Sequence, residues 1–137
     1  MRWFGKDERK EIWDEAIQWP IGDIEAADKI RNICRSAGDS AERIAGLAGP
    51  ADNKKPNSKK PDHNKGDDTE RYQRAAKAAM EIAMKISDDL MRDAAVREIV
   101  ELCLKANDMR TARILFRAIH AVSIKEAVLS EHPDLRQ

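Results

Sequence analysis

Residues 69–107 read TERYQRAAKAAMEIAMKISDDLMRDAAVREIVELCLKAN. Apolar side chains recur in this stretch at every third or fourth position, and that spacing places them on one face of an α-helix. The first half predicts one helix, whose inward residues are Tyr72, Ala75, Ala76, Ala79, Ile82, Ala83 and Ile86. The second half predicts another helix, capped at Ser87-Asp88-Asp89, whose inward residues are Leu90, Ala94, Ala95, Ile99, Leu102, Cys103 and Ala106. The stretch therefore predicts two consecutive helices joined by a short turn.

The same periodicity continues to the C-terminus. Asn107 is expected to end the preceding helix, since Asn tolerates the left-handed conformation found there. Asp108 then starts a helix with the inward residues Ala112, Leu115, Phe116 and Ile119. Ser123-Ile124-Lys125-Glu126 has the pattern of a capping box, so a last helix should run to about Glu131, before His132-Pro133. Residues 69–137 thus predict four helices, whose short turns make neighbours antiparallel.

The N-terminal part, residues 1–48, predicts about three helices. The first runs from Asp7 to Trp19, and the second begins at Asp23 and ends at Gly38. The third is short and opens with a second capping box at residues 39–42. Residues 49–68 are rich in Lys and Pro and predict a flexible linker or loop. We expect an all-α fold of antiparallel helical hairpins, stacked as an array or a small bundle in one domain.

Composition narrows the class of protein. The 137 residues are 42% hydrophobic and 36% charged, which suits a single globular domain. The chain carries 25 basic and 25 acidic side chains, so no overall charge attracts it to nucleic acid or to an anionic membrane. No stretch resembles a signal peptide or a transmembrane helix, and two separated cysteines suit a reducing compartment. We expect a cytoplasmic protein that does not bind membranes.

The side chains best able to perform chemistry are three histidines and two cysteines. Cys103 and His120 lie on consecutive predicted segments and could in principle pair as nucleophile and base. Cys103, however, stands between two leucines and is better explained as an inert core thiol. The pairs Asp67-Asp68 and Asp88-Asp89 are explained as helix caps rather than as metal ligands. The sequence therefore predicts no catalytic residue, cofactor or metal, and no enzyme.

The C-terminal half contains a repeat. Ala79, Ala83 and Ile86 align with Ala112, Phe116 and Ile119 at an offset of thirty-three residues, the length of one helical hairpin. The segment from Val96 to Ile119 resembles a tetratricopeptide-type repeat. The matching residues are apolar Ile99 and Cys103 in the first helix, the turn Asn107-Asp108, and Ala112 and Phe116 in the second helix. The Ala37-Gly38-Asp39 turn is similar to another such hinge, whereas Val100 and Ile119 depart from the family pattern.

A protein-interaction function follows from these patterns. The resemblance implies a concave face that binds a peptide or a partner helix and is lined by Arg97, Glu101, Leu104 and Lys105. Trp3, Phe4 and Trp19 are candidate interface anchors, since aromatic side chains contribute much of the energy of interfaces. We expect an adaptor, a chaperone-like factor or a protein inhibitor. Homodimerisation stays open, because either half could be too small to bury its apolar faces alone.

A nucleic-acid-associated regulator is the alternative. Its binding residues would be five lysines of the linker, which could contact a phosphate backbone: Lys54, Lys55, Lys59, Lys60 and Lys65. No aromatic or Arg side chain lies among them to stack on bases, so a solvated tether explains the same composition.

Overall fold

A computed structural model describes residues 11–14, 17, 19–48 and 65–136. Five α-helices make up most of this part: α1 (Asp23–Ala48), α2 (Lys65–Ala83), α3 (Asp89–Lys105), α4 (Met109–Arg117) and α5 (Val122–Glu131). Short 3-10 turns stand at Ile12–Asp14 and Pro133–Leu135. The described residues contain no strand, so the predicted all-α class is confirmed.

Helices α1 and α2 pack against each other in opposite directions. Near one end of the pair, Arg43 of α1 contacts Asp68 of α2 at 3.0 Å. At the other end, the carboxylate of Asp23 accepts hydrogen bonds of 2.9 Å from the backbone N–H groups of Ser87 and Asp88. The buried faces are rich in alanine, which lets two helix backbones approach closely: Ala26, Ala37 and Ala41 of α1, and Ala75, Ala79 and Ala83 of α2.

Helix α3 lies in the middle of the fold. It packs against α1 and α2 on one side and against α4 and α5 on the other. The buried residues form one cluster with members from all five helices, of which Ile30, Ile99, Leu102, Ile119 and Val128 are fully buried. Both sides of the predicted linker therefore contribute to a single core.

The N-terminal helix prediction was wrong at Gly38. Helix α1 continues without interruption through Gly38 and through the predicted capping box, so the described part of residues 1–48 holds one long helix and one 3-10 turn rather than three helices. Gly38 has no left-handed backbone, and Ala37, Ser40 and Ala41 around it are buried. Burial against neighbouring helices outweighs the weak tendency of one glycine to end a helix. Of the predicted helix Asp7–Trp19, only Ile12–Asp14 is described as helical.

The four C-terminal helices were predicted correctly, with two local errors. Helix α2 begins at Lys65 and not at residue 69, so the end of the predicted linker is wrong, and residues 49–64 lie outside the described part. Asp88 and Asp108 cap α3 and α4 as expected, by accepting hydrogen bonds from Met91 and Thr111. Asn107 has a φ of 60°, as predicted for a left-handed helix end.

The second error concerns the start of α5, where Ala121 takes the capping position predicted for Ser123 and makes no side-chain cap. The buried carboxylate of Asp93 replaces that cap from α3. It accepts hydrogen bonds from the backbone N–H groups of His120 at 3.1 Å and Ala121 at 2.8 Å. Because Asp93 points inward, the buried face of α3 is rotated from the predicted one. Leu90 and Ala94 are exposed, and Val96 and Val100 are buried.

Among the described residues, none of the helices combines the length and apolar character needed to cross a membrane.

Candidate functional site

One cavity lies between the described residues Ile12, Trp13, Ile17 and Trp19 and the first two helices. Its volume is about 910 Å³. We call it the tryptophan groove. Its lining comprises Ile12, Trp13, Ile17 and Trp19 from the N-terminal segment, Lys29, Asn32, Ile33, Arg35 and Ser36 from α1, and Ala78, Glu81, Ile82, Met84 and Lys85 from α2 and the residues that follow it.

Helical periodicity builds two walls of this groove. In α1 the lining positions 29, 32, 33 and 36 follow the i, i+3, i+4, i+7 spacing of one helix face, and positions 78, 81 and 82 of α2, with 85 in the turn after it, repeat this spacing. Each stripe holds one buried isoleucine, Ile33 or Ile82, with polar or charged residues beside it. These two walls are therefore mixed, with a buried isoleucine at the base of each and polar or charged side chains around it.

Two tryptophans form the third wall. Trp13 is buried, and the guanidinium of Arg71 stands 5.0 Å from the centre of its ring. Trp19 is 41% exposed, with the ammonium of Lys85 at 5.3 Å from its ring. The indole N–H of Trp13 is a buried donor with no acceptor among the described residues. Of the predicted anchors, Trp19 thus lines the groove, whereas Trp3 and Phe4 lie outside the described part.

Exposed apolar side chains accumulate at the same end of the helix pair. Ile12, Trp19 and Met84 belong to the groove lining and are 38%, 41% and 65% exposed. Ile24 and Leu90 are also exposed and stand next to the contact between Asp23 and residues 87–88. Surface apolar residues that adjoin a cavity are typical of binding sites, whereas scattered ones are common everywhere.

Ion pairs fasten the N-terminal segment to the helices. Arg71 of α2 binds the carboxylate of Glu11 through two nitrogens, at 2.9 and 3.0 Å, and donates to the hydroxyl of buried Ser40 at 2.6 Å. Arg74 pairs with Asp14 at 2.7 Å. These contacts hold Trp13 against the helices and so define the shape of the groove. Sequence reasoning missed them, because their partners are 31 to 60 residues apart.

The predicted concave face of α3 is largely occupied by internal contacts. Arg97 pairs with Glu131 of α5 at 3.3 Å, and Glu101 contacts His132 at 3.2 Å. Leu104 is half-buried and packs against the core. Lys105 is exposed and, with Glu101, lines a smaller cavity of about 270 Å³ between α1 and α3. The structure therefore brings Glu101 and Lys105 to one cavity but engages Arg97 elsewhere.

Glu101, Glu131 and His132 form the one group of side chains in the described residues that could hold a metal ion, with donor atoms within 4.8 Å of one another. The guanidinium of Arg97 stands 3.3 Å from Glu131 and 4.0 Å from Glu101. That guanidinium places one positive charge between the two carboxylates. We interpret the group as an ion-pair network that joins α5 to α3.

The thiols stand in surroundings unsuited to nucleophilic catalysis. Burial raises the pKa of Cys34 to about 12, and nearby Glu98 adds to this effect. Burial also raises the pKa of Cys103 to about 11, although a hydrogen bond with Tyr72 opposes the rise. Both thiols therefore stay protonated at neutral pH, as core thiols do. His120 is exposed, and its backbone N–H donates a hydrogen bond to Asp93. Among the described residues, no hydrogen bond joins His120 to Cys103.

Tyr72 and Asp108 form a structural contact between α2 and the start of α4. The Tyr72 hydroxyl donates a 2.6 Å hydrogen bond to Asp108. Burial alone would raise the pKa of Asp108, but hydrogen bonds from Tyr72 and Thr111 lower it below the usual value. Burial and the same bond raise the pKa of Tyr72. Each group is thus held in its ordinary charge state, the phenol neutral and the carboxylate ionised.

The structure does not test the lysines proposed for nucleic-acid binding. Lys54, Lys55, Lys59 and Lys60 lie outside the described residues, and Lys65 is the first residue of α2. That alternative stays a prediction.

The resemblance to a tetratricopeptide repeat also stays a prediction. The Asn107-Asp108 turn stands between two packed helices, as the resemblance implies, but the second expected hinge at Ala37-Gly38-Asp39 lies inside α1. The chain matches no protein-family model, no curated protein and no solved structure.

Proposed function

We propose that this protein is a non-catalytic interaction module, an adaptor, chaperone-like factor or protein inhibitor, that binds a peptide or helix of another protein in the tryptophan groove. The observation that carries the proposal is the cavity of about 910 Å³ bordered by exposed Trp19 and Met84. The volume lies within the range of about 300 to 1,000 Å³ typical of ligand sites.

Apolar burial supplies the driving force. Each Å² of apolar surface removed from water contributes roughly 25 cal/mol, and a tryptophan at the centre of an interface is among the most frequent energetic hot spots. Trp19 is 41% exposed beside a groove that the side chains of a partner helix can enter. Helices that dock in this way place residues i, i+3, i+4 and i+7 into such a groove.

The face of α3 is not part of this proposal. Contacts with Glu131 of α5 and with His132 after it engage Arg97 and Glu101, and a partner would have to break them in order to bind there. The groove requires no such rearrangement, because its rim cations and exposed apolar side chains already face an open cavity.

Site-specific photo-crosslinking tests the location. A photoreactive phenylalanine analogue replaces Trp19 in the full chain, and a matched variant carries it in place of Ile114, which is 53% exposed on α4 and does not line the groove. In extract of the native host, we expect discrete protein adducts from position 19 only. Adducts from both positions, or from neither, would contradict the proposal.

A further inference from the structure

The charged residues around the tryptophan groove are mainly basic. Lys29, Arg35 and Lys85 line it together with one acidic residue, Glu81. Lys29 and Arg35 form no ion pair with any described residue, although acidic side chains stand four positions away on α1. In a chain with equal numbers of acidic and basic residues, this excess is local.

The donor groups at the groove outnumber the acceptors. The three cations Lys29, Arg35 and Lys85 stand against a single carboxylate, Glu81, among the lining side chains. Complementary charge across an interface orients partners and excludes wrong ones. An occupant rich in carboxylates suits this rim, while one rich in ammonium or guanidinium groups would face repulsion.

We infer that the occupant of the tryptophan groove is an amphipathic helix whose apolar stripe is flanked by acidic side chains. This inference rests on the proposed function and specifies the chemistry of its partner. The apolar stripe packs against the exposed lining side chains Ile12, Trp19 and Met84, and the acidic flanks pair with Lys29 and Arg35. These two cations are separated by six positions of α1, about 9 Å along its axis. Six positions also turn α1 by about 120° between them, so acidic side chains on both flanks of the stripe are needed to contact both cations.

Two designed peptides test the inference directly. Each is a fluorescein-labelled helix of about 18 residues, or five turns, with one identical leucine and isoleucine stripe. One carries glutamates beside the stripe, and the other carries lysines at the same positions. Fluorescence anisotropy with the full-length protein at low ionic strength measures both affinities, and a salt titration follows.

We expect the acidic peptide to bind about tenfold more tightly than the basic one, with a preference that declines as salt rises. The double variant Lys29→Glu/Arg35→Glu should remove or reverse this preference. A control double variant, Arg110→Glu/Arg117→Glu, changes net charge equally at exposed positions of α4 and should keep it. Trp19→Ala should weaken the binding of both peptides, because both carry the same apolar stripe.

The outcomes separate the two claims. Equal binding of both peptides, lost on Trp19→Ala, would overturn the acidic partner but leave the groove as a docking site. Binding of neither peptide would overturn both the acidic helix and the helix-binding part of the proposed function. Concentration-dependent dimerisation that Trp19→Ala abolishes would identify a second copy of this chain as the occupant and would overturn the inference as well.

Discussion

At the scale of single residues, Asp93 shows how one buried charge organises a helix start. Its carboxylate is 2% exposed and accepts the two N–H groups that precede α5. Hydrogen bonds to a charged group contribute about 1.5 to 3 kcal/mol each, and a donor left unpaired in a buried place costs about as much. Replacing Asp93 removes the shared acceptor of both backbone N–H groups at once.

We therefore expect Asp93→Ala to lower the free energy of unfolding by about 2 to 3 kcal/mol, and Asp93→Asn by roughly half as much, since the amide oxygen still accepts. Urea unfolding followed by circular dichroism measures this. Asp89→Ala is the control, because its side chain is 85% exposed and should cost about 0.5 kcal/mol or less. Equal losses for Asp93→Ala and Asp89→Ala would contradict the capping role.

The buried thiols predict a dependence of stability on alkaline pH. The ordinary pKa of a cysteine is 9.0, and burial raises that of Cys103 to about 11. Below pH 9 the thiol is protonated in both states and contributes no slope. Between pH 9 and 11 the unfolded chain releases a proton that the folded chain keeps, so stability falls by up to about 1.4 kcal/mol per pH unit.

Cys103→Ala isolates this effect from the titration of other groups. The substitution leaves a small void and should destabilise the protein at pH 8. The difference in unfolding free energy between wild type and variant should then narrow as the pH rises from 9 to 11. A difference that stays constant across that range would show that Cys103 ionises as readily in the folded state as in the unfolded one.

At the scale of elements, the continuity of α1 is the feature on which sequence and structure disagree most. Gly38 was predicted to end a helix in a left-handed conformation, but it lies within α1 without one. A methyl group added at Gly38 would meet only the Lys105 ammonium, at 3.7 Å, which is an ordinary contact.

The substitution Gly38→Ala distinguishes a continuous α1 from a helix that ends at Gly38 in a left-handed conformation. In a continuous helix it should stabilise the protein by about 0.5 to 1 kcal/mol, since alanine loses less backbone entropy on folding. At a left-handed helix end it should destabilise by about 1 to 2 kcal/mol. Gly46→Ala, an exposed position of α1 with open space around it, is the matched control and should also stabilise. Thermal unfolding of the three proteins decides between the two descriptions.

The elements that were predictable share one property, which is that neighbouring residues determine them. The inward faces of α2 and α4 and the caps Asp88 and Asp108 follow from spacing and from residues three or four positions away. The Asp93 contact spans 27 and 28 residues, and the Arg71 to Glu11 pair spans 60. No local pattern encodes such distances. Trp19 could be proposed as an anchor because it is an aromatic residue visible in the sequence. The groove beside it could not be predicted, because it is formed by three segments that are distant in the sequence.

At the scale of the whole molecule, the groove depends on how the N-terminal segment attaches to an otherwise complete helical core. The segment contributes Trp13 to that core, and polar contacts centred on Arg71 and Arg74 hold it in place. Contacts among α1, α2 and α3 do not involve it. The fold therefore consists of a helical body and an attached N-terminal segment that completes the lining of the tryptophan groove.

Arg71→Leu tests this separation. It removes the two-nitrogen pair with Glu11, the hydrogen bond to Ser40 and the cation above the Trp13 ring, which together contribute on the order of 1 to 3 kcal/mol at this half-buried site. We expect hydrogen exchange to accelerate at residues 11–14 while the amides of α3 keep their protection, because local opening need not involve the global unfolding reaction.

The same variant should lose affinity for the acidic helical peptide, although Lys29, Arg35 and Trp19 are unchanged, because the Trp13 wall no longer holds its position. Arg92→Leu is the control, since it removes an arginine that pairs within its own helix with Asp89 and does not line the groove. Faster exchange throughout α3 in Arg71→Leu would instead mean that segment and body unfold together. Unchanged peptide affinity despite faster exchange at residues 11–14 would show that the groove binds its partner through α1 and α2 alone.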